Sequence, residues 1–271
     1  MKIAIFDSGF GGLTVFGAIQ RLLPQYDYVY LGDNARTPYG HRSFETVYRF
    51  TAEAVRFLFA QDCSLIVIAC NTASAKALRT IQQTLLPTIE GWRRVLGIIR
   101  PSVETLAGEQ RGRTVALWGT AGTVQSQSYA IELAKLAPDM RLVQTACPLL
   151  VPLVESGELT GPGLDYFLEK YWAQTSAQQP RVDALLLACT HYPLLLPRIR
   201  AVVPEGVEVL SQGAIVAPSL AHYLVRHPEI ESRLSRGGTT SFLTTDRSES
   251  FDQLAELFLG RAVESRMVDL G

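Results

Sequence analysis

Seven short runs rich in β-branched and aromatic residues recur along the chain, at Ile3–Phe6, Tyr28–Leu31, Leu65–Ile68, Val95–Ile99, Val115–Trp118, Leu142–Gln144 and Ala184–Leu187, with amphipathic helical stretches between them. That alternation leaves few architectures open. A strand followed by a helix and another strand builds a parallel sheet covered by helices. Runs as uniformly apolar as Ser64-Leu65-Ile66-Val67-Ile68-Ala69 suit strands buried on both faces. After Val207–Leu210 the pattern predicts a helix from Ser219, a strand at Thr239–Thr244 and a further helix at Ser248–Phe258. Arg111-Gly112-Arg113 predicts a turn ahead of the run at Val115.

The runs are not independent. Ile3-Ala4-Ile5-Phe6-Asp7-Ser8-Gly9 is echoed by Val115-Ala116-Leu117-Trp118-Gly119-Thr120-Ala121. In the same order, Leu65-Ile66-Val67-Ile68-Ala69-Cys70-Asn71-Thr72 is echoed by Ala184-Leu185-Leu186-Leu187-Ala188-Cys189-Thr190-His191. Cys70 follows Asp7 by 63 residues and Cys189 follows Gly119 by 70. Any two buried strands look alike, but two echoes in one order argue for two related α/β lobes. The fold expected is therefore α/β with two pseudo-symmetric lobes, each a mainly parallel sheet flanked by helices, and an active site in the cleft between them. The first lobe is expected to comprise 1–97 plus 208–271, and the second 98–207.

Composition narrows the class. With 271 residues, 47% apolar and 19% charged, the chain can bury a sizeable core. Lys plus Arg (25) and Asp plus Glu (26) nearly cancel, and no basic run alternates with aromatics, which argues against a nucleic-acid binder. The N-terminal apolar run ends at Asp7, too short for a secretion signal, and no run approaches a membrane span. A cytoplasmic protein with reduced thiols at Cys63, Cys70, Cys147 and Cys189 is expected.

Each lobe thus offers one cysteine at the carboxyl end of a strand, where open α/β sheets bind ligands. A lone cysteine is usually a small buried hydrophobe. Two in matched positions, facing across a cleft, have the geometry of stereoinversion: one group removes a proton from one face of a carbon while the other returns one to the opposite face. The positive end of a helix dipole is expected to lower each thiol's pKa toward neutrality. Asp7 and His191 stand close enough in sequence to tune Cys70 and Cys189. His41, His222 and His227 are expected to be solvated.

Around them, Asp7-Ser8-Gly9-Phe10-Gly11-Gly12-Leu13-Thr14 follows a strand and can approach an anion closely, but it lacks the third glycine of a dinucleotide fingerprint and the lysine of a P-loop. Asn71, Thr72, Ser74, Thr120, Thr123 and Thr190 bring short hydroxyl and amide groups to presumed helix starts, a set suited to a small carboxylate ligand. Arg36-Thr37-Pro38-Tyr39-Gly40 can add a lid. Cys189-x-His191 has no second close pair to complete a zinc site. Among Lys2, Lys76, Lys135 and Lys170, only Lys76 lies near the presumed cleft for a pyridoxal phosphate linkage, and it reads instead as a solvated helix charge.

Several of these segments together resemble one family over nearly the whole chain: Asp7–Leu13, Gly32-Asp33 with Pro38-Tyr39-Gly40, Ala69–Ser74, Gly119-Thr120 with Thr123 and Ser126, Cys147-Pro148 with Val151–Glu155, and Ala188–Leu195. The chain resembles the glutamate racemases of the cofactor-independent aspartate/glutamate racemase superfamily. The resemblance implies Cys70 and Cys189 as acid/base thiols on opposite faces of the α-carbon, without pyridoxal phosphate or metal. It implies Asp7 assisting Cys70, His191 assisting Cys189, and Glu155 as a further catalytic acid. Substrate binding by Asp7, Ser8, Pro38, Tyr39, Gly40, Asn71, Thr72, Thr120, Thr123, Thr190 and His191 follows by the same analogy, with Thr145 and Ala146 nearby. It further implies a homodimer and a role in supplying D-glutamate for peptidoglycan. Ile98–Ser102 and Ser211-Gln212-Gly213 depart from the family's usual Glu-Pro-Gly and Asp-Ser-Gly, both near the presumed lobe crossings. The alternatives left open are a superfamily racemase acting on aspartate or another small acid, a two-lobed amino-acid-binding protein, and a protein-binding regulator.

Overall fold

A computed structural model describes residues 1–109 and 112–270. Its ten strands are β1 (Lys2–Asp7), β2 (Tyr28–Gly32), β3 (Cys63–Ile68), β4 (Arg94–Gly97), β5 (Thr114–Gly119), β6 (Arg141–Ala146), β7 (Ala184–Ala188), β8 (Glu208–Ser211), β9 (Thr240–Thr244) and β10 (Ser265–Met267). They form two sheets, one ordered β10-β9-β2-β1-β3-β4 and the other β6-β5-β7-β8. Every pairing is parallel. The order β2-β1-β3-β4 is repeated as β6-β5-β7-β8, so the two sequence echoes are the two inner strands of this shared four-strand unit.

Alternate residues divide each sheet into two apolar layers, as the two-residue period of a strand requires. Ile3 and Ile5 pack with the helix Gly12–Leu22 on one side, and Ala4 and Phe6 with the helix Phe44–Ala60 on the other. In the second sheet Ala116 and Trp118 face one layer, Val115 and Leu117 the other. With both faces covered, the two sheets meet through the turns that follow the carboxyl ends of their strands.

Four boundaries differ from expectation. The strand expected at Val95–Ile99 stops at Gly97, because a helix Ile99–Glu109 begins there; Pro101 falls in its first turn, where the missing N–H has no partner to lose. Glu208–Ser211 pairs with β7 in the second sheet, so the return to the first sheet falls at residue 212 and not at 208. The helix expected from Ser219 begins at Gln212 and carries Pro218 in its interior, where sequence rules would have broken it. β10 was not expected. Gly112 turns the chain before β5 at φ +74°; Arg111 of that expected turn lies outside the described residues. Among the described residues no helix is long and apolar enough to cross a membrane.

The two crossings between sheets are tied by one buried polar cluster. Gln212, at the start of the helix Gln212–Arg226, accepts a hydrogen bond from Asn71 Nδ2 at 2.5 Å and donates through Nε2 to Asn71 Oδ1 (3.2 Å), Ser102 Oγ (3.0 Å) and Tyr129 Oη (2.8 Å). Tyr129 in turn donates to Asn71 Oδ1 at 2.7 Å. Asn71, Ser102, Tyr129 and Gln212 are each at most 2% exposed, so no water replaces a lost partner. Gln212→Leu is expected to leave the Asn71 amide unsatisfied and to cost about 1–3 kcal/mol, read from urea denaturation. An unchanged midpoint would contradict this account of the crossing.

Candidate active site

Cys70 caps the helix Asn71–Lys76 directly after β3: its sulfur accepts from the Ala73 N–H at 3.4 Å, and its thiol donates to Ser8 Oγ at 3.4 Å. Cys189 directly follows β7, with its sulfur 3.9 Å from His191 Nδ1. The two thiols line one cavity of about 340 Å³, at the low end of the roughly 300–1,000 Å³ of small-molecule sites. Ser8, Pro38, Tyr39, Gly40, Asn71 and Thr72 line it from the first sheet, and Thr120, Glu155, Thr190 and His191 from the second. Larger surface grooves, such as one of about 980 Å³ beside the helix Gln212–Arg226, contain no cysteine.

The sheets can approach this closely because Gly11 has no side chain. A Cβ there would stand 2.3 Å from Thr190 Oγ1 and 2.4 Å from His191 Nδ1. Thr14 Oγ1 donates to the Thr190 carbonyl at 2.9 Å and Thr190 Oγ1 reaches Asp7 Oδ2 at 3.5 Å, so the glycine-rich turn of the first sheet is locked onto the turn that carries Cys189.

Burial dominates the electrostatics. It raises the Cys70 thiol to about 12, with the neighbouring Asp7 carboxylate adding to the rise and the Ser8 and Ala73 hydrogen bonds only partly opposing it. The lowering expected from the helix dipole is thus overridden by desolvation. Asp7 is itself pushed up by burial, tempered by His191 and by the Gly9 N–H that donates to its Oδ1 at 2.9 Å. His191 behaves oppositely. Burial alone would push it down, but the hydrogen bonds to Cys189 and to Glu155, the latter at 2.9 Å, carry it up to about 10. The two walls are therefore biased toward a protonated Cys70 on one side and an imidazolium behind Cys189 on the other.

Supporting contacts place the remaining groups. Asp33, fully buried, accepts from the Tyr39 hydroxyl, from Arg36 Nε at 2.8 Å and from Thr245 Oγ1 at 2.9 Å, which fixes the Pro38–Gly40 wall. Thr72 Oγ1 and Thr120 Oγ1 meet at 2.9 Å across the two sheets, and Thr120 caps its helix by accepting the Thr123 N–H at 3.2 Å.

Two of the expected contact residues stand behind the wall: Asp7 beneath Thr190, and Thr123 beneath Thr120, neither lining the cavity. Thr145 is buried against Thr175 Oγ1 at 2.8 Å and Ala146 is likewise away from the cavity. His41, expected to be solvated, is exposed but sits at the cavity rim, while Lys76, also expected to be solvated, is only 7% exposed. Pro148, Val151 and Pro152 complete an apolar wall that residue-by-residue reading missed. Their spacing contained the signal: Val151 precedes Glu155 by four residues in the helix Leu150–Glu155, so both share its cavity face. All four cysteines are unpaired. Among the described residues no three His, Cys, Asp or Glu side chains are grouped to hold a metal.

Comparison with known proteins follows this geometry. Residues 14–220 match the family model Asp/Glu/Hydantoin racemase. A glutamate racemase of Dinoroseobacter shibae is 38% identical over 279 aligned positions, covering 99% of each chain. The crystal structure of a glutamate racemase isoform from Bacillus anthracis superposes with a TM-score of 0.89 at 33% identity, covering 99% of this chain and 97% of that one. A glutamate racemase from Francisella tularensis, solved in complex with D-glutamate, superposes with a TM-score of 0.87 at 29% identity and the same coverage.

The raised His191 is directly measurable. Its imidazole nitrogens, followed by NMR in the ligand-free protein, are expected to report imidazolium at pH 8 and to lose the proton only as pH approaches about 10. Because the folded-state value lies above the unfolded one near 6.5, the stability this proton confers is full below that pH and is lost as pH rises through about 10. A midpoint near 6.5 would contradict the Cys189–His191–Glu155 arrangement.

Proposed function

The chain belongs to the Asp/Glu/Hydantoin racemase family, and from that premise we propose that it interconverts L- and D-glutamate by a two-thiol mechanism needing no cofactor. The observation that carries this reading is the pair of cysteines at matched strand ends on one cavity. Glutamate is favoured as substrate because the relatives that share 29–38% of its sequence over nearly full length are glutamate racemases.

In this reading the α-carbon sits between the two sulfurs. One thiolate takes the α-proton from its face, and the opposite thiol delivers a proton to the other face as the electron pair re-forms the C–H bond. The charge of the intervening carbanion spreads into the α-carboxylate, where Asn71, Thr72, Thr120 and Thr190 offer donors. Asp7 serves Cys70 from one layer behind the wall: its carboxylate adds to the burial that keeps the thiol protonated, and a substrate ammonium entering the cavity offsets that added repulsion. His191, braced by Glu155, passes protons to and from Cys189. The apolar wall of Pro148, Val151 and Pro152 keeps the site dry, which strengthens each of these interactions.

The lobes that close on the substrate are taken as 1–97 with 212–271, and 98–211. A homodimer, a cytoplasmic location and the supply of D-glutamate for peptidoglycan complete the proposal by family resemblance.

Cys70→Ala and Cys189→Ala should each lower racemisation of glutamate by about a thousandfold or more while leaving the circular dichroism of the protein unchanged, since each removes the acid/base of one face. Retained turnover in either variant would refute the two-thiol reading. Tight glutamate binding by the wild type without racemisation would favour an amino-acid-binding protein instead.

A further inference from the structure

Lys76 lies at the end of the short helix that Cys70 begins, and its burial has no ion pair to explain it. Among the described residues no carboxylate lies within 4 Å of its ammonium. Nζ instead donates to the Arg42 carbonyl at 2.7 Å and sits 5.1 Å over the Phe44 ring. A buried ammonium with one hydrogen bond loses much of its hydration, and burial accordingly lowers its pKa. Such a cost is kept only where the geometry uses it.

The surroundings show that use. Arg42 closes the loop that contributes Pro38, Tyr39 and Gly40 to the cavity wall. On the other side, a Cβ on Gly122 would stand 2.9 Å from Lys76 Nζ and 2.7 Å from the Gly40 carbonyl. Gly40 in turn comes within 3.2 Å, measured from its own ideal Cβ, of Thr120. The ammonium is therefore wedged where the first-lobe loop meets the Thr120–Gly122 turn of the opposite sheet, one layer behind the cavity.

We propose that Lys76 is a positioning residue: it straps the Pro38–Arg42 loop to the Cys70 helix and seats that loop against the opposing turn, so that the wall recognising the substrate is built before the substrate arrives. The ligand class is the dicarboxylate of the preceding section, and the inference rests on that reading for its kinetic arm. The loop arm does not depend on it. Lys76 touches no reacting atom, so its loss acts on substrate capture and not on proton transfer.

Three variants test it, Lys76→Met, Lys76→Gln and Lys76→Arg, with Lys170→Met as an exposed-lysine control. In Lys76→Met and Lys76→Gln the KM for both enantiomers of glutamate is expected to rise about tenfold or more while kcat stays within about threefold; Lys76→Arg is expected to recover most of the loss. Trypsin is expected to cut after the exposed Arg42 faster in the Met and Gln variants than in the wild type or the control. The Gln variant carries the comparison if the Met variant does not fold. An unchanged KM in these variants overturns the proposal, whether or not kcat or thermal stability falls. Should the wild type not racemise glutamate, the substrate reading fails, and trypsin decides alone: faster cleavage after Arg42 supports the strap, and unchanged cleavage overturns it.

Discussion

Ionisable groups at the carboxyl ends of β1, β3 and β7 are held where water cannot screen them, and much of the surrounding structure serves that burial. Cys70, Asp7, Cys189 and His191 are each at most 6% exposed. In such a place burial itself shifts proton affinity: desolvation, reinforced by Asp7, raises the Cys70 thiol, while hydrogen bonds to Cys189 and Glu155 raise His191 against it. Burial favours a protonated thiol at Cys70, and the neighbours of His191 favour an imidazolium beside the Cys189 sulfur.

Burial of this kind comes from two sheets meeting at the carboxyl ends of their strands, and the contacts there are correspondingly close. Gly11 admits Thr190 and His191, Gly122 admits the Gly40 carbonyl and Lys76, and Asn71 is shared with Gln212 at the crossing between lobes. A side chain added at either glycine, or a partner removed from Asn71, changes the spacing between the two walls of the cavity. Fold stability and site geometry are coupled through the same residues.

Much of this was readable from residue order. The two echoes located the adjacent strand pairs β1–β3 and β5–β7, and the thiols, Ser8, the Pro38–Gly40 loop, Thr120, Glu155 and His191 fall on the cavity. What escaped did so for physical reasons. The Cys70 thiol is governed by desolvation, which depends on packing from a distant segment, while the helix dipole that sequence reveals is the smaller effect. Lys76 looks like a surface charge until the loop around Arg42 folds over it. Gln212 starts a helix seven residues ahead of the expected Ser219, because its side chain is anchored to Asn71, Ser102 and Tyr129 from three other segments. Thr123 and Asp7, expected as contacts, lie outside the cavity lining because Thr120 and Thr190 stand in front of them.

The central claim is that two different groups handle the proton on the two faces of the α-carbon. Its most direct test is the position of label at early times when L-glutamate is incubated with the purified, reduced protein in D₂O, with a chelator and without pyridoxal phosphate. The account predicts deuterium at the α-carbon of the D-glutamate formed and almost none in the L-glutamate remaining, because the proton removed on one face stays with its thiol while the other face is deuterated. Equal early labelling of both enantiomers would show one group serving both faces and would contradict it.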